Sequence, residues 1–176
     1  YKVAPHVFWE LGAQVHTIHA EPDGLNINHN CGSQHTDDLC QAVVEQKADI
    51  GLAFDGDGDR VIAVDEHGDV ITGDQIIAVC ATTLKQEGRL KENTVVTTVM
   101  SNTGLVKAFR QIGIKHIMTK VGDRYVFEAM QQTGAVIGGE DSGHIIFLEH
   151  HSAGDGILTG LQLTAAMLKQ NRPLSE

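Results

Sequence analysis

Short apolar segments alternate along this sequence with longer segments of helical period, and this alternation constrains the fold more than any other feature. Apolar, strand-like segments lie at residues 15–19, 50–54, 61–64, 94–100, 116–119, 135–138 and 145–148. Helical spacing, with capping signals at some ends, occupies residues 3–11, 36–46, 74–87, 101–112, 125–132 and 154–170. Strands that alternate with helices in this way indicate α/β architecture. We therefore expect an α/β fold.

A turn signal divides the alternation into two runs. Glu66-His67-Gly68-Asp69 is followed by extended Val70-Ile71, which predicts a β-hairpin. We place a domain boundary there, with one domain at residues 1–69 and a second at residues 70–176. The first residues have the spacing of a helix already under way, so we do not expect the sequence to begin at a natural N-terminus.

The formal net charge of −10 limits the partners that this chain can bind. An acidic protein repels nucleic acid and anionic membranes, so we expect neither as a partner, and an anionic substrate would need a local positive patch or a bound cation. No apolar run approaches the roughly 18 residues of a membrane helix, and the start lacks the features of a signal peptide. Cys31, Cys40 and Cys80 form no CxxC pair, which indicates a cytoplasmic protein with reduced, buried thiols. The histidines show no zinc-ligand spacing, and we expect most of them at the surface.

The strongest local signal is the segment Asp55-Gly56-Asp57-Gly58-Asp59-Arg60, called the acidic loop below, which lies between two apolar segments. If carboxylate oxygens lie about 4–5 Å apart, each pair repels by about 3–4 kcal/mol at an effective dielectric constant of 20. The glycines allow the backbone to curl so that the carboxylates converge, and a cation would relieve their repulsion. Only oxygen ligands are offered, which suits Mg²⁺ or Ca²⁺ better than zinc.

Three other interpretations of the acidic loop are open. It could be a solvated turn, since Asp and Gly are common turn formers. It could be an EF-hand, because Glu66 falls at the twelfth position, although Arg60 stands where that loop needs glycine. It could also supply Asp55 as the nucleophile of a DxD-type phosphatase, although Asp59 stands where such enzymes normally have Thr or Val.

A second polar segment, Gly138-Gly139-Glu140-Asp141-Ser142-Gly143-His144, is called the polar loop below and lies between two predicted strands. Glu140 and Ser142 can hydrogen-bond to sugar hydroxyls, and His144 can bind a hydroxyl or relay a proton. The glycines allow a ligand to approach closely. Taken alone, the segment is equally consistent with a structural polar turn.

Together, the two loops resemble the α-D-phosphohexomutase superfamily, in which DGDGDR is followed by GExSGH. The resemblance implies two three-layer α/β domains of the phosphohexomutase type with mixed sheets. Residues 1–69 resemble the second of the superfamily's four domains without its first strand, and residues 70–176 resemble the third. Neither the superfamily's Ser-His-Asn-Pro loop nor its Arg-x-Ser-Gly-Thr phosphate loop is present. The resemblance therefore implies an internal fragment that is inactive without its partner domains, one and four.

Three further stretches, at residues 22–28, 100–105 and 120–126, resemble the phosphoglucosamine mutases of that superfamily. These isomerases interconvert glucosamine 6-phosphate and glucosamine 1-phosphate through a phosphoserine and a bisphosphate intermediate, and they feed UDP-N-acetylglucosamine and cell-wall synthesis. Asp141 departs from the usual Asn or Gln and adds a negative charge beside the sugar. The alternatives are a phosphomannomutase or phosphoglucomutase of the same superfamily, a DxD-type phosphatase, and a non-enzymatic cation- or sugar-binding module.

The resemblance also implies roles for the acidic loop. Asp55, Asp57 and Asp59 would hold Mg²⁺. Arg60 would be a catalytic residue that orients the phosphoserine or the acidic cluster, and the alternative is a simple ion pair with a neighbouring aspartate.

Other residues are implied to bind the hexosamine phosphate. Glu140 and Ser142 would hold the 3- and 4-hydroxyls, and His144 would contact the ligand or move a proton. Three more polar residues follow a predicted strand and precede a helix, so they could face the cleft, with surface salt bridges as the alternative: Lys120, Asp123 and Arg124. Lys120 and Arg124 would be the nearest positive charges for a phosphosugar, and we expect Lys120 to be a catalytic residue.

Overall fold

The computed structural model describes residues 1–176 and contains alternating helices and strands. Its α-helices are α1 (Val3–Glu10), α2 (Asp37–Gln46), α3 (Gly73–Gln86), α4 (Thr103–Gln111), α5 (Asp123–Thr133) and α6 (Gly156–Gln170). Its strands are β1 (Ile50–Phe54), β2 (Val61–Asp65), β3 (Val70–Ile71), β4 (Thr94–Thr98), β5 (Lys115–Thr119), β6 (Ile137–Gly139) and β7 (Ile145–Phe147). The predicted α/β class is confirmed, and no helix has both the length and the hydropathy needed to cross a membrane.

The first sheet contains β1, β2 and β3 in that order, and both pairs are antiparallel. Every residue of β2 is buried. The predicted hairpin turn forms because the Asp65 carboxylate accepts hydrogen bonds from the amides of His67 and Asp69, each at 2.9 Å. The connection between β1 and β2 is the acidic loop, so this sheet holds both ends of that loop.

The second sheet has the strand order β5-β4-β6-β7, with β7 antiparallel to β6 and the other pairs parallel. Successive residues of β4 point to opposite faces of this sheet. Val95 joins a hydrophobic cluster with residues of α3 and α4, whereas Val96 packs with residues of α5. Helices therefore cover both faces of this mixed sheet, which is the three-layer arrangement predicted for the second domain. The first sheet is antiparallel throughout rather than mixed.

The two sheets share one hydrophobic core. The larger cluster joins Val61 and Ala63 of β2 to Ile76 of α3 and Leu163 of α6, and all four are fully buried. Burying a Val, Leu or Ile side chain stabilises a fold by about 1.5–3 kcal/mol. Since β2 directly follows the acidic loop, this core fixes that loop relative to the second sheet.

Some local predictions are wrong. Residues 15–19 form no strand, since their backbone groups are hydrogen-bonded to no strand of either sheet. β4 ends at Thr98 rather than at residue 100. Asn102, not Ser101, caps α4, since its Oδ1 accepts a hydrogen bond from the Gly104 amide at 2.7 Å. The Ser101 hydroxyl is turned inward instead, toward a buried carboxylate.

The expected burial of thiols and exposure of histidines holds only in part. Cys80 is buried, and burial raises the pKa of its thiol to about 12, whereas Cys31 and Cys40 are partly exposed. Most histidines are exposed, as predicted, but His116 is half-buried and His144 is buried. The two exceptions lie in β5 and at the end of the polar loop, where tertiary packing covers them.

Candidate functional site

The acidic loop brings its three carboxylates together. Each of Asp55, Asp57 and Asp59 offers an oxygen within 4.8 Å of the other two. The Asp55 Oδ1 accepts hydrogen bonds from the amides of Gly58 at 3.1 Å and Arg60 at 3.2 Å, which closes the turn around that side chain. Asp57 is exposed, and its carboxylate accepts no hydrogen bond from the protein. The predicted convergence of the three carboxylates is therefore present.

The electrostatics of this cluster favour a cation. The pKa of Asp59 is raised, first by burial and then by the neighbouring carboxylates of Asp55 and Asp57. A hard divalent cation would remove this repulsion, and a donor set made only of oxygens fits Mg²⁺ or Ca²⁺. These residues therefore fit a divalent metal ion.

A second acidic group lies at the β2–β3 turn, where Asp65, Glu66 and His67 also come within ligand distance of one another. The Asp65 carboxylate is buried, at 3% exposure, and the Glu66 carboxylate already accepts a hydrogen bond from the Ser175 hydroxyl. This cluster is explained by the turn, so the acidic loop is the stronger candidate for metal binding.

Arg60 lies against the acidic loop. Its Nε is 3.8 Å from Asp55 Oδ2 and 3.8 Å from Asp59 Oδ1, and this buried atom has no hydrogen-bond partner. The side chain as a whole is 43% exposed. The ion pair that the sequence offered as an alternative role is present, and it leaves the exposed end of the guanidinium free to meet an anionic group.

Backbone hydrogen bonds join the polar loop to the acidic loop. Arg60 and His144 form an antiparallel β-bridge, and the amide of Val61 donates to the carbonyl of Gly143 at 3.2 Å. Gly143 has φ of +93°, and a Cβ there would lie 2.3 Å from the Val61 carbonyl oxygen. Only glycine permits this approach. The two motifs, far apart in sequence, are thus neighbours in one site.

His144 is buried between the two loops. Its side chain is 7% exposed, its Nε2 lies 3.7 Å from Asp59 Oδ2, and its Nδ1 is buried without a partner. Gly154 packs against the ring, because a Cβ at that position would lie 2.4 Å from the histidine Nε2. The histidine therefore faces a candidate metal ligand.

Glu140 connects the polar loop to the segment before α5. Its Oε1 accepts a hydrogen bond from the amide of Gly122 at 3.0 Å, which leaves Oε2 available to a ligand. Ser142 is partly exposed, and its hydroxyl makes no hydrogen bond within the protein. Both side chains can therefore meet the hydroxyl groups of a sugar.

The segment that contains Gly122 also carries the predicted charged residues. Lys120 is exposed, with its Nζ 6.0 Å from the centre of the Tyr125 ring. The Asp123 Oδ1 accepts a hydrogen bond from the amide of Arg124 at 2.7 Å. Arg124 donates from Nε to Glu128 at 2.7 Å, which is the surface ion pair that the sequence left open. Of the two cationic side chains, Arg124 has an acidic partner and Lys120 has none.

The sequence predicts no functional role for Asp74, and it predicts that the charge of Asp141 lies beside the sugar. In the structure, the Asp141 Oδ1 accepts a hydrogen bond from the amide of Asp74 at 3.2 Å, and the Asp141 carbonyl accepts one from Gly73 at 2.9 Å. Asp141 therefore lies at the N-terminus of α3, where the helix dipole favours a negative charge. Because an acidic residue in the first turn of a helix is common, the sequence does not indicate that Asp74 also contacts the polar loop.

The fold and the site together define an α/β protein in which a loop of three converging carboxylates is joined to a polar loop. Comparison with known families makes this class specific. The chain belongs to the phosphoglucomutase/phosphomannomutase family: the model of its alpha/beta/alpha domain II matches residues 1–68, and that of domain III matches residues 72–176. The superfamily inferred from the two loops, and its second and third domains, are confirmed.

Individual relatives agree with this assignment. The chain is 61% identical over 176 residues to a phosphoglucosamine mutase of Syntrophus aciditrophicus, covering all of this chain and 39% of that protein. It is 56% identical to a phosphoglucosamine mutase of Acetivibrio thermocellus, with the same coverage. A crystal structure of a phosphoglucomutase/phosphomannomutase family protein from Burkholderia thailandensis superposes with a TM-score of 0.85 at 28% identity, over 98% of this chain and 38% of that one. The chain spans about two fifths of the length of the curated relatives it matches.

Proposed function

We propose that this chain forms the second and third domains of a phosphoglucosamine mutase, with a boundary at residues 69 and 70. The observation that carries the proposal is the direct bonding of the acidic loop to the polar loop through Arg60 and His144. A mutase needs its phosphoryl-transfer site and its sugar site side by side, because positioning supplies most of the rate enhancement. The names of the relatives support glucosamine phosphate as the substrate.

Asp55, Asp57 and Asp59 would hold Mg²⁺ in the complete enzyme. The ion would supply charge neutralisation for the phosphoryl group being transferred. Asp55 is held by two backbone amides, so its carboxylate is already oriented toward the other two. Preorganisation of this kind lowers the cost of forming the site when the ion binds.

Arg60 would contact the phosphoryl group. Its guanidinium is anchored at Nε between two carboxylates and exposed at its other end, so it can donate to a phosphoserine that domain one of the parent protein supplies. A charge-assisted hydrogen bond from arginine to phosphate is strong and directional. We propose that domains one and four, with the catalytic serine and a phosphate-binding loop, lie in the same parent polypeptide.

The sugar would lie against the polar loop. Glu140 and Ser142 have polar atoms free to hydrogen-bond to the 3- and 4-hydroxyls. Lys120 would add positive charge near the phosphate of the substrate, with Asp123 and Arg124 at the margin of the cleft. The burial of His144 and its proximity to Asp59 favour a role in orienting that carboxylate over a direct contact with the ligand.

The proposal is tested by assaying the parent-length protein with Mg²⁺ on glucosamine 6-phosphate, glucose 6-phosphate and mannose 6-phosphate. The expected result is isomerisation with a clear preference for the glucosamine ester, lost in Asp57→Asn and reduced in Ser142→Ala. A preference for another hexose would retain the mechanism and refute the assigned substrate. Hydrolysis without isomerisation would refute the mutase and favour the phosphatase that uses Asp55.

A further inference from the structure

Asp74 is a buried carboxylate that the proposed function does not use. It lies in the first turn of α3 and is 2% exposed. Its Oδ1 accepts a hydrogen bond from the Ser101 hydroxyl at 2.9 Å, and its Oδ2 accepts one from the Asn102 amide at 2.5 Å. Both partners belong to residues 99–102 between β4 and α4, called the α4 loop below. The Asp74 carboxylate therefore holds the α4 loop through two hydrogen bonds.

The backbone around Asp74 holds the polar loop. The amides of Gly73 and Asp74 donate to the carbonyl and side chain of Asp141. Gly73 is pressed so closely against the polar loop that a Cβ there would lie 2.2 Å from the Glu140 carbonyl oxygen. The first turn of α3 thus contacts the polar loop with its backbone and the α4 loop with the Asp74 side chain.

Further hydrogen bonds connect the α4 loop to the second sheet. The hydroxyls of Ser101 and Thr97 are 2.7 Å apart, and Thr97 Oγ1 is 2.7 Å from His116 Nε2. These polar contacts connect the α4 loop to β4 and β5. A buried carboxylate is costly unless it is hydrogen-bonded, so the two hydrogen bonds to the α4 loop are required for Asp74 to remain there.

We propose that Asp74 is a positioning residue that holds the polar loop and the α4 loop in one fixed arrangement and thereby sets the affinity of the site for its sugar phosphate. Two loops held by one helix turn cannot shift independently. The two acceptor oxygens of a carboxylate are both needed, because an amide in their place can accept at only one of them. The assignment to sugar affinity rests on the proposed function, whereas the linkage of the two loops does not.

The test compares Asp74→Asn with Asp65→Asn in the parent-length protein. Asp65 is a matched control, since it is 3% exposed and accepts two hydrogen bonds, but both come from the β2–β3 turn. We expect Asp74→Asn to raise KM for glucosamine 6-phosphate at least about tenfold, equivalent to about 1.4 kcal/mol, with kcat nearly unchanged. Asp65→Asn should leave both constants near the wild-type values at a similar loss of thermal stability.

Amide hydrogen exchange measures the linkage without reference to activity. In Asp74→Asn, residues 99–102 and 139–143 should both lose protection, whereas Asp65→Asn should affect only the β2–β3 turn. If Asp74→Asn does not fold, Ser101→Ala provides the milder change. Ser101 makes no hydrogen bond to the polar loop, so faster exchange at residues 139–143 in that variant would show transmission through Asp74.

Three outcomes separate the claims. Unchanged KM in Asp74→Asn, or a KM change that Asp65→Asn reproduces, overturns the positioning role. Loss of protection in the α4 loop alone overturns the linkage. If the wild-type protein turns over no glucosamine phosphate, the proposed function fails, and the exchange result still decides whether Asp74 couples the two loops.

Discussion

Replacing Asp57 with asparagine should stabilise the metal-free chain and weaken its binding of Mg²⁺. Asp57 is the most informative member of the acidic loop, because its side chain is exposed and accepts no hydrogen bond from the protein. The change to asparagine therefore removes a charge and very little else. A residue that lowers stability in the absence of metal and also binds the metal is typical of a cation-binding site.

The structure sets the size of the effect. Two of the three carboxylate pairs in the loop include Asp57, and their oxygens lie within 4.8 Å of one another. At that distance, each pair repels by about 0.9 kcal/mol at the dielectric constant of water and by about 3.5 kcal/mol at an effective constant of 20. Taking the lower figure, loss of two pairs stabilises the metal-free state by about 2 kcal/mol at low ionic strength. For a domain of this size, the midpoint of thermal unfolding should rise by about 4–8 °C.

The assay is thermal unfolding followed by circular dichroism, at low ionic strength, with chelator or with increasing Mg²⁺. The control is Asp49→Asn, which makes the same charge change at an exposed position outside the acidic loop. Mg²⁺ should raise the midpoint of the wild-type chain and of Asp49→Asn alike, with a dependence on concentration that yields the dissociation constant. Asp57→Asn should start from a higher midpoint and gain much less.

Two results would refute this reasoning. A metal-free midpoint of Asp57→Asn at or below that of Asp49→Asn would mean that the carboxylates do not repel one another. An equal Mg²⁺ response in all three proteins would mean that the ion binds elsewhere.

Three further predictions test other parts of the site. Gly154→Ala should lower the free energy of unfolding by about 1–3 kcal/mol in denaturant titrations, because its methyl group would overlap the His144 ring; an unchanged value would show that the ring is not confined there. Burial lowers the pKa of His116 below its ordinary 6.5, so the unfolded chain binds more protons and the free energy of unfolding should fall as the pH drops below about 6.5. His116→Gln should flatten that part of the plot of unfolding free energy against pH, and an equally steep plot would contradict the shift. Lys120→Ala in the parent-length protein should raise KM for the sugar phosphate about tenfold, with an unchanged unfolding midpoint, since the side chain is exposed; an unchanged KM would remove Lys120 from the site.

The sequence predicts the features of this fold that depend on neighbouring residues. The apolar run at residues 50–54 becomes β1, and the run at residues 61–64 becomes β2 with Asp65 added, because short apolar runs are typical of strands in a buried sheet. The Glu66–Asp69 turn forms as its Gly and Asp residues require. The convergence of the three aspartates also follows from local chemistry, since the alternating glycines allow so short a connection to curl and bring the carboxylates together.

Features that depend on distant residues could not be predicted in this way. The apolar residues near position 15 satisfy the local pattern of a strand, but strand formation requires a partner that the pattern does not reveal. The bridge between Arg60 and His144 joins segments far apart in sequence, and only tertiary packing shows that His144 turns toward Asp59. Asp74 resembles an ordinary first-turn acid until the position of the α4 loop is known.

The most direct test is a crystal structure of the parent-length protein with glucosamine 6-phosphate and Mn²⁺ in place of Mg²⁺, located by its anomalous scattering. We expect a single Mn²⁺ peak among the carboxylates of Asp55, Asp57 and Asp59, and sugar hydroxyls on Glu140 and Ser142. An ion at the Asp65–His67 turn, or a sugar bound away from the polar loop, would contradict the claim that the two loops form one catalytic site.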